Sequence, residues 1–277
     1  MPIFERPPRE TLSPAKDRWT PVYLEHGRLE VDDSSVKWIG SDKTVFRIPV
    51  ATVSALLLGP GTTITHAAIK ACSDCNTPIC WVGEQGMRFY SFGVTPTHSN
   101  DNARRHAEYY SSRIKRVEIA KNMFLKRFPQ SDVKSRTVKE LRGMEGHRIK
   151  ALYEEMGTKY GVTWKGREYN TDNWNVSDSI NKAVSTANAC FYAFCTSIVC
   201  SMGYLPQLGF IHVSGTLPFV YDIADIYKPI STLESAFETI SRNKDADEKA
   251  VLESLKNKIE ARRLQKIIPE VIDELMV

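Results

Sequence analysis

Residues 205–230 read Leu-Pro-Gln-Leu-Gly-Phe-Ile-His-Val-Ser-Gly-Thr-Leu-Pro-Phe-Val-Tyr-Asp-Ile-Ala-Asp-Ile-Tyr-Lys-Pro-Ile, and this stretch decides the fold of the second half of the chain. Pro218 suits the first helical position, where a missing N–H costs nothing, and Pro229 marks where the helix must end. Between them Phe219, Val220, Ile223, Ala224 and Tyr227 recur at helical spacing and form one apolar face. Asp222 and Asp225, three residues apart, leave the other face side by side. His212 precedes them in a run from Ala183 to Tyr221 that holds no Asp, Glu, Lys or Arg. Such a run reads as the most buried helix of the protein and the turn that follows it. An imidazole delivered from it beside two carboxylates has the makings of a metal site. The alternative is a satisfied core histidine and two aspartates on a solvated helix face.

Upstream, the helical stretch 135–160 contains Lys139-Glu140-Leu141-Arg142-Gly143-Met144-Glu145-Gly146-His147-Arg148. Its apolar stripe runs through Val138, Leu141, Ile149, Leu152 and Met156, and Glu145 occupies one step of it. A carboxylate facing the core needs a metal, an arginine or a proton, and Arg142 and Arg148 are at hand for the second. Gly143 and Gly146 flank it, each costing a helix interior about 1 kcal/mol relative to Ala. That cost makes sense where another backbone or a ligand must come close.

The 277 residues are 42% apolar and 25% charged, an ordinary globular composition. The N-terminus, Met-Pro-Ile-Phe-Glu-Arg-Pro-Pro, does not read as a secretory leader. The six cysteines are therefore expected to be reduced thiols of a cytoplasmic protein, acting as small hydrophobes. The uncharged run through 189–205 is too rich in Ser, Thr and Asn, and too short, for a membrane span. Net charge is only +4, yet residues 101–150 hold 14 Lys plus Arg against 6 Asp plus Glu. A basic surplus of that density attracts phosphate backbones.

From Pro21 to Tyr90 the pattern is β-like. Val22–Glu25 and Arg28–Val31 flank His26-Gly27 as a hairpin, followed by strands at Val36–Ile39, Thr44–Ile48 and Val53–Leu58. Ile64–Cys72 reads as a short helix, and Ile79–Val82 and Met87–Ser91 as a last strand pair. Polar residues 95–102 punctuate the chain. Beyond them the helical candidates are Ala103–Arg127, Ser135–Tyr160, Asp178–Met202, Pro218–Tyr227, Ser231–Arg242 and Asp247–Leu275. The expected fold class is α+β: a small N-terminal β-sandwich-like domain (1–95), a linker (96–102) and a larger all-α-helical catalytic domain (103–277).

Several motifs carry a family resemblance: Arg-Gly-Met-Glu-Gly at 142–146, Gly-Val-Thr-Trp-Lys-Gly-Arg-Glu-Tyr at 161–169, Asp178-Ser-Ile-Asn181, Gly-Phe-Ile-His at 209–212 and Phe-Val-Tyr-Asp-Ile-Ala-Asp at 219–225. Pro-Gly-Thr-Thr-Ile-Thr-His-Ala-Ala at 60–68 and Trp-Val-Gly-Glu-Gln-Gly-Met-Arg at 81–88 add to them. In this order they resemble the CRISPR-associated Cas1 family, the integrase of spacer acquisition, in its Cascade-associated type I-E subtype. The resemblance covers nearly the whole chain. It implies that Glu145, His212 and Asp225 ligate Mg²⁺ or Mn²⁺ and that Asp222 is the neighbouring catalytic acid. The implied reaction is a transesterification, in which the 3′-OH of a captured prespacer attacks a phosphodiester at the end of a CRISPR repeat. With water as nucleophile the same site is a DNA endonuclease.

The resemblance also places Arg88, Arg116, Arg142, Arg167, Tyr169 and Lys228 on double-stranded DNA. It implies a homodimer formed through the β domain and a hetero-oligomer with the small ferredoxin-like partner Cas2. His26 stands where close relatives often carry a tyrosine, and Val277 stands where some continue into a Pro-rich tail. Two other functions fit the same residues. One is a stand-alone nuclease of branched DNA or single-stranded nucleic acid. The other is a non-catalytic binding scaffold in which arginine neutralises Glu145.

Overall fold

The computed structural model describes residues 12, 18, 21–32, 35–84, 89–93, 100–128, 132–167 and 178–277. Among them the strands are β1 (Val22–Leu24), β2 (Gly27–Asp32), β3 (Ser35–Gly40), β4 (Val45–Ile48), β5 (Leu56–Leu58), β6 (Thr62–Ile64), β7 (Ile79–Val82) and β8 (Phe89–Gly93), with helix α1 (His66–Asp74) after β6. They form two four-stranded sheets, ordered β1-β5-β7-β8 and β4-β3-β2-β6. In the first, β1, β5 and β7 run parallel and β8 closes antiparallel on β7. In the second, β2, β3 and β4 form an antiparallel meander and β6 joins β2 in parallel.

The hairpin expected at His26-Gly27 does not form, because β1 and β2 belong to different sheets. His26 takes a left-handed φ of 55°, and its N–H bonds to the Pro60 carbonyl at 2.9 Å, so the chain crosses between sheets instead of folding back. Glycine is needed at 27 for packing, since a Cβ there would stand 2.3 Å from the Trp38 ring.

Alternation along β5 ties the layers together. Leu56 and Leu58 face a core shared with Leu29, Val36 and Trp38 of the second sheet and Ala68 of α1. Leu57 points the other way and meets Cys80, Val82 and Ala193. A strand buried on both faces reads as an unbroken apolar run, and β5 is Leu-Leu-Leu.

Ala193 belongs to the helical half: α2 (Asp101–Ser111), α3 (Arg113–Arg127), α4 (Val138–Tyr160), α5 (Ser179–Ser201), α6 (Pro218–Tyr227), α7 (Thr232–Arg242), α8 (Glu248–Ala261) and α9 (Leu264–Leu275). Two expected helices are each two. The stretch 103–127 breaks at Ser112, whose hydroxyl caps α3 by accepting the Lys115 N–H. The stretch 247–275 breaks at Arg262-Arg263, where Arg263 takes a left-handed φ of 53°. α4 begins at Val138, not at 135, because Thr137 and Glu140 close a capping box there. α5 is long and apolar enough to cross a membrane, but it is the central core helix, packed by α6, α7, α8, α9 and the β7–β8 pair. The six cysteines are free, and burial pushes the Cys72, Cys80 and Cys190 thiols up to about 12.

Candidate active site

The turn between α5 and α6 carries His212, and the chain holds that turn from both sides. Gly209 permits it, since a Cβ there would lie 2.2 Å from the His212 carbonyl oxygen. From α2, fully buried His106 donates through Nε2 to the Leu208 carbonyl (2.7 Å) and accepts the Leu205 N–H at Nδ1 (3.2 Å). Its ring packs against Tyr204, Phe210 and Phe219. Burial pushes the His106 imidazole down to about 4, so it is neutral, as the Leu205 N–H requires.

From α6, Asp222 meets the same turn. Its Oδ2 accepts the N–H groups of Phe210 (2.6 Å) and Ile211 (2.9 Å), and its Oδ1 accepts that of His212 (2.9 Å). The His212 Nδ1–H also donates to Oδ1, at 2.7 Å. With Asp222 wholly buried and bonded to four donors, it acts through His212 and does not face solvent. The aspartates are thus not side by side on an open helix face. Asp222 turns to the 209–212 turn and Asp225 turns toward α4.

Fixing Nδ1 as the protonated nitrogen leaves His212 Nε2 free, and it faces Asp225 Oδ2 at 3.6 Å. Asp225 Oδ1 pairs with Lys228 Nζ at 2.6 Å. Across from it α4 presents Glu145, which Arg148 grips with Nη2 on Oε1 (3.3 Å) and Nε on Oε2 (3.4 Å). Arg127 of α3 lies between the two carboxylates, its Nη1 3.6 Å from Glu145 Oε1 and 3.7 Å from Asp225 Oδ2. Its Nη2 donates to the Asp222 carbonyl at 2.8 Å, while its buried Nε finds no partner among the described residues. Burial alone would raise the Asp225 carboxyl, but Lys228 and Arg127 outweigh it and hold the group below the usual carboxylate range. Burial likewise would lower Lys228, and the Asp225 carboxylate and Tyr192 reverse this and raise it.

The chain therefore brings together Glu145, His212, Asp222, Asp225 and Lys228. Arg142 stands beside them, donating to the Ile211 carbonyl. Arg116 lies apart on α3 with its guanidinium over the Tyr110 ring, and Arg167 bonds Asn181 and Ser185 of α5. Arg88 and Tyr169 lie outside the described residues. Sequence reasoning missed Arg127 and His106. It also missed Tyr192, whose hydroxyl accepts from Lys228.

Two carboxylates and an imidazole with a free nitrogen are the right donor types for a hard divalent ion. Among the described residues no three such groups already stand close enough to hold one. Arg127, Arg148 and Lys228 pair with the two carboxylates. The donor set fits such an ion once Glu145 and Asp225 exchange their arginine contacts for it.

The family model described as CRISPR associated protein Cas1 matches residues 22–133 and 125–268. The chain is 44% identical over 229 residues to CRISPR-associated endonuclease Cas1 2 of Chlorobaculum tepidum, covering 83% of this chain and 77% of that one. It is 36% identical over 265 residues to CRISPR-associated endonuclease Cas1 of Escherichia coli K12, covering 95% and 86%. Its fold superposes on TtCas1 in a complex with DNA with a TM-score of 0.78 and 32% identity, over 94% of this chain and 97% of that one. The matched segments run from β1 into α9 and take in every residue of the cluster, and the protein belongs to the CRISPR-associated Cas1 family.

Proposed function

We propose that the chain is a divalent-metal-dependent DNA integrase and endonuclease of spacer acquisition. In this reading it joins the 3′-OH ends of captured DNA to a CRISPR repeat by transesterification. On the motifs quoted above we read it as of the Cascade-associated type I-E subtype, acting in the cytoplasm as a homodimer with Cas2. The relatives named as endonucleases, and TtCas1 in its DNA complex, support the nuclease and DNA parts of this reading.

The observation that carries the proposal is the convergence of Glu145 of α4 and Asp225 of α6 on the buried Arg127, with His212 Nε2 of the 209–212 turn 3.6 Å from Asp225. Glu145, His212 and Asp225 would hold Mg²⁺ or Mn²⁺, which polarises a phosphoryl oxygen and shields the charge that develops on it. The chain supplies the rest. Asp222 fixes the tautomer and direction of His212, leaving Nε2 to ligate or to accept a proton. Lys228, locked between Asp225 and Tyr192, places a fixed positive charge beside the scissile phosphate. Arg142 and the basic run 101–150 bind backbone. Cβ atoms at Gly143 and Gly146 would meet none of the described residues within 4 Å, so this part of α4 gives nucleic acid room beside Glu145.

The test is strand transfer of a labelled prespacer into a supercoiled plasmid bearing a CRISPR repeat, with and without Cas2, in Mn²⁺ or Mg²⁺. Metal-dependent half-site products that vanish in His212→Ala and Asp225→Ala are expected. Cutting without joining would favour the stand-alone nuclease, and mutants that match wild type would remove the site.

A further inference from the structure

Glu145 and Asp225 face Arg127, Arg148 and Lys228, while Asp222 is held by backbone N–H groups and His212. The cations differ in how firmly they are held. Arg127 is 1% exposed, bonded to the Asp222 carbonyl and packed over the Phe124 ring. Lys228 is tied to Asp225 and to the Tyr192 hydroxyl. Arg148 sits at the rim, 26% exposed. Its contacts to Glu145, at 3.3 and 3.4 Å, are long for a charge-assisted pair, which ordinarily closes to about 2.8 Å. Among the described residues its only other contact is with the Phe128 ring, at 5.3 Å.

We infer that Arg148 is an exchangeable counter-ion for Glu145, so that nucleic acid loads the metal site by drawing Arg148 away. The inference rests on the metal reading above. A planar guanidinium matches a phosphate as well as it matches a carboxylate, so the group that covers Glu145 is itself a phosphate ligand. One and two residues from Glu145 along α4, Gly146 and Gly143 are bare, and among the described residues no side chain there contests the approach of a backbone. While Arg148 stays on Glu145, one ligand is occupied and a positive charge sits where a dication must enter. Once it leaves for a phosphate, Glu145 keeps only the longer contact with Arg127, at 3.6 Å, and one positive charge fewer opposes the dication. Linkage then requires the metal to tighten nucleic-acid binding by the same factor.

The experiment is a Mn²⁺ titration of the full chain followed by electron paramagnetic resonance, alone and with a short duplex DNA. The Glu145→Gln protein with the same DNA supplies the background of ion bound to DNA. Wild type should bind Mn²⁺ about tenfold more tightly with DNA than without, the scale of one partly screened charge a few ångströms away. Arg148→Met, with Arg148→Gln as a second variant, should bind about tenfold more tightly than wild type without DNA and gain little when DNA is added. Arg148→Lys should stay weak without DNA. Wild-type binding that ignores DNA, with Arg148→Met and Arg148→Gln unchanged from wild type, would overturn the exchange and leave the metal reading standing. Wild type that binds no more Mn²⁺ than Glu145→Gln in either condition would overturn the metal reading itself.

Discussion

The floor and the rim of the site are built on opposite principles. On the floor, Asp222 and His106 find their partners inside the chain, among backbone N–H groups and carbonyls that cannot move without unfolding the turn. On the rim, Glu145 and Asp225 face cations, of which Arg148 is partly exposed. Two carboxylates three residues apart on α6 thus do different work. Asp222 sets geometry, and Asp225 carries charge into the opening. The difference follows from what each meets: three converging amides fix an acid permanently, whereas an ammonium or guanidinium can be traded.

If that division is right, the largest loss comes from the floor. Asp222→Ala strips partners from three backbone N–H groups and from His212, and should cost about 3–5 kcal/mol of stability, read from the urea midpoint. Unfolding at the wild-type midpoint would erase the distinction between floor and rim.

A second probe uses pH. His106 is lowered to about 4 in the fold against 6.5 in the unfolded chain, so the unfolded state binds the extra proton first as pH falls. Stability should be unaffected by this group above pH 6.5, decline as pH drops from there, and level off below about 4. At about 1.4 kcal/mol per unit, roughly 3 kcal/mol is at stake. His106→Gln should be less stable at neutral pH and lack this slope. A variant with the wild-type slope would show that another group titrates. The smallest effect sharpens the rim. Gly143→Ala should raise stability by about 0.5–1 kcal/mol, because the methyl meets none of the described residues and the helix gains propensity, while weakening DNA binding.

Much of this was legible in the sequence, for local reasons. Pro218 and Pro229 bound α6 because proline acts on its own neighbours, and the helix runs Pro218–Tyr227 as read. Glu145 stood out because a charge at a core-facing step breaks a pattern. The arginine pairing weighed for it is present through Arg148, while Arg142 went to the Ile211 carbonyl instead. Arg127 was invisible, since an arginine in a basic run looks like every other cation there and its burial is decided by α4 and α6. His106 was hidden in the same way between Arg105 and Ala107. The breaks at Ser112 and Arg263 carry no glycine or proline, so helical periodicity ran through both. The crossover at His26 resembled a hairpin because His-Gly suits either; only the pairing of β2 with β3 and β6 separates them.

The most direct measurement is anomalous diffraction at the manganese edge from crystals of the chain with duplex DNA and Mn²⁺. The account predicts a peak bounded by Glu145, His212 and Asp225, with Arg148 turned from Glu145 onto a phosphate. No peak there, with Arg127 and Arg148 still on Glu145, would contradict it.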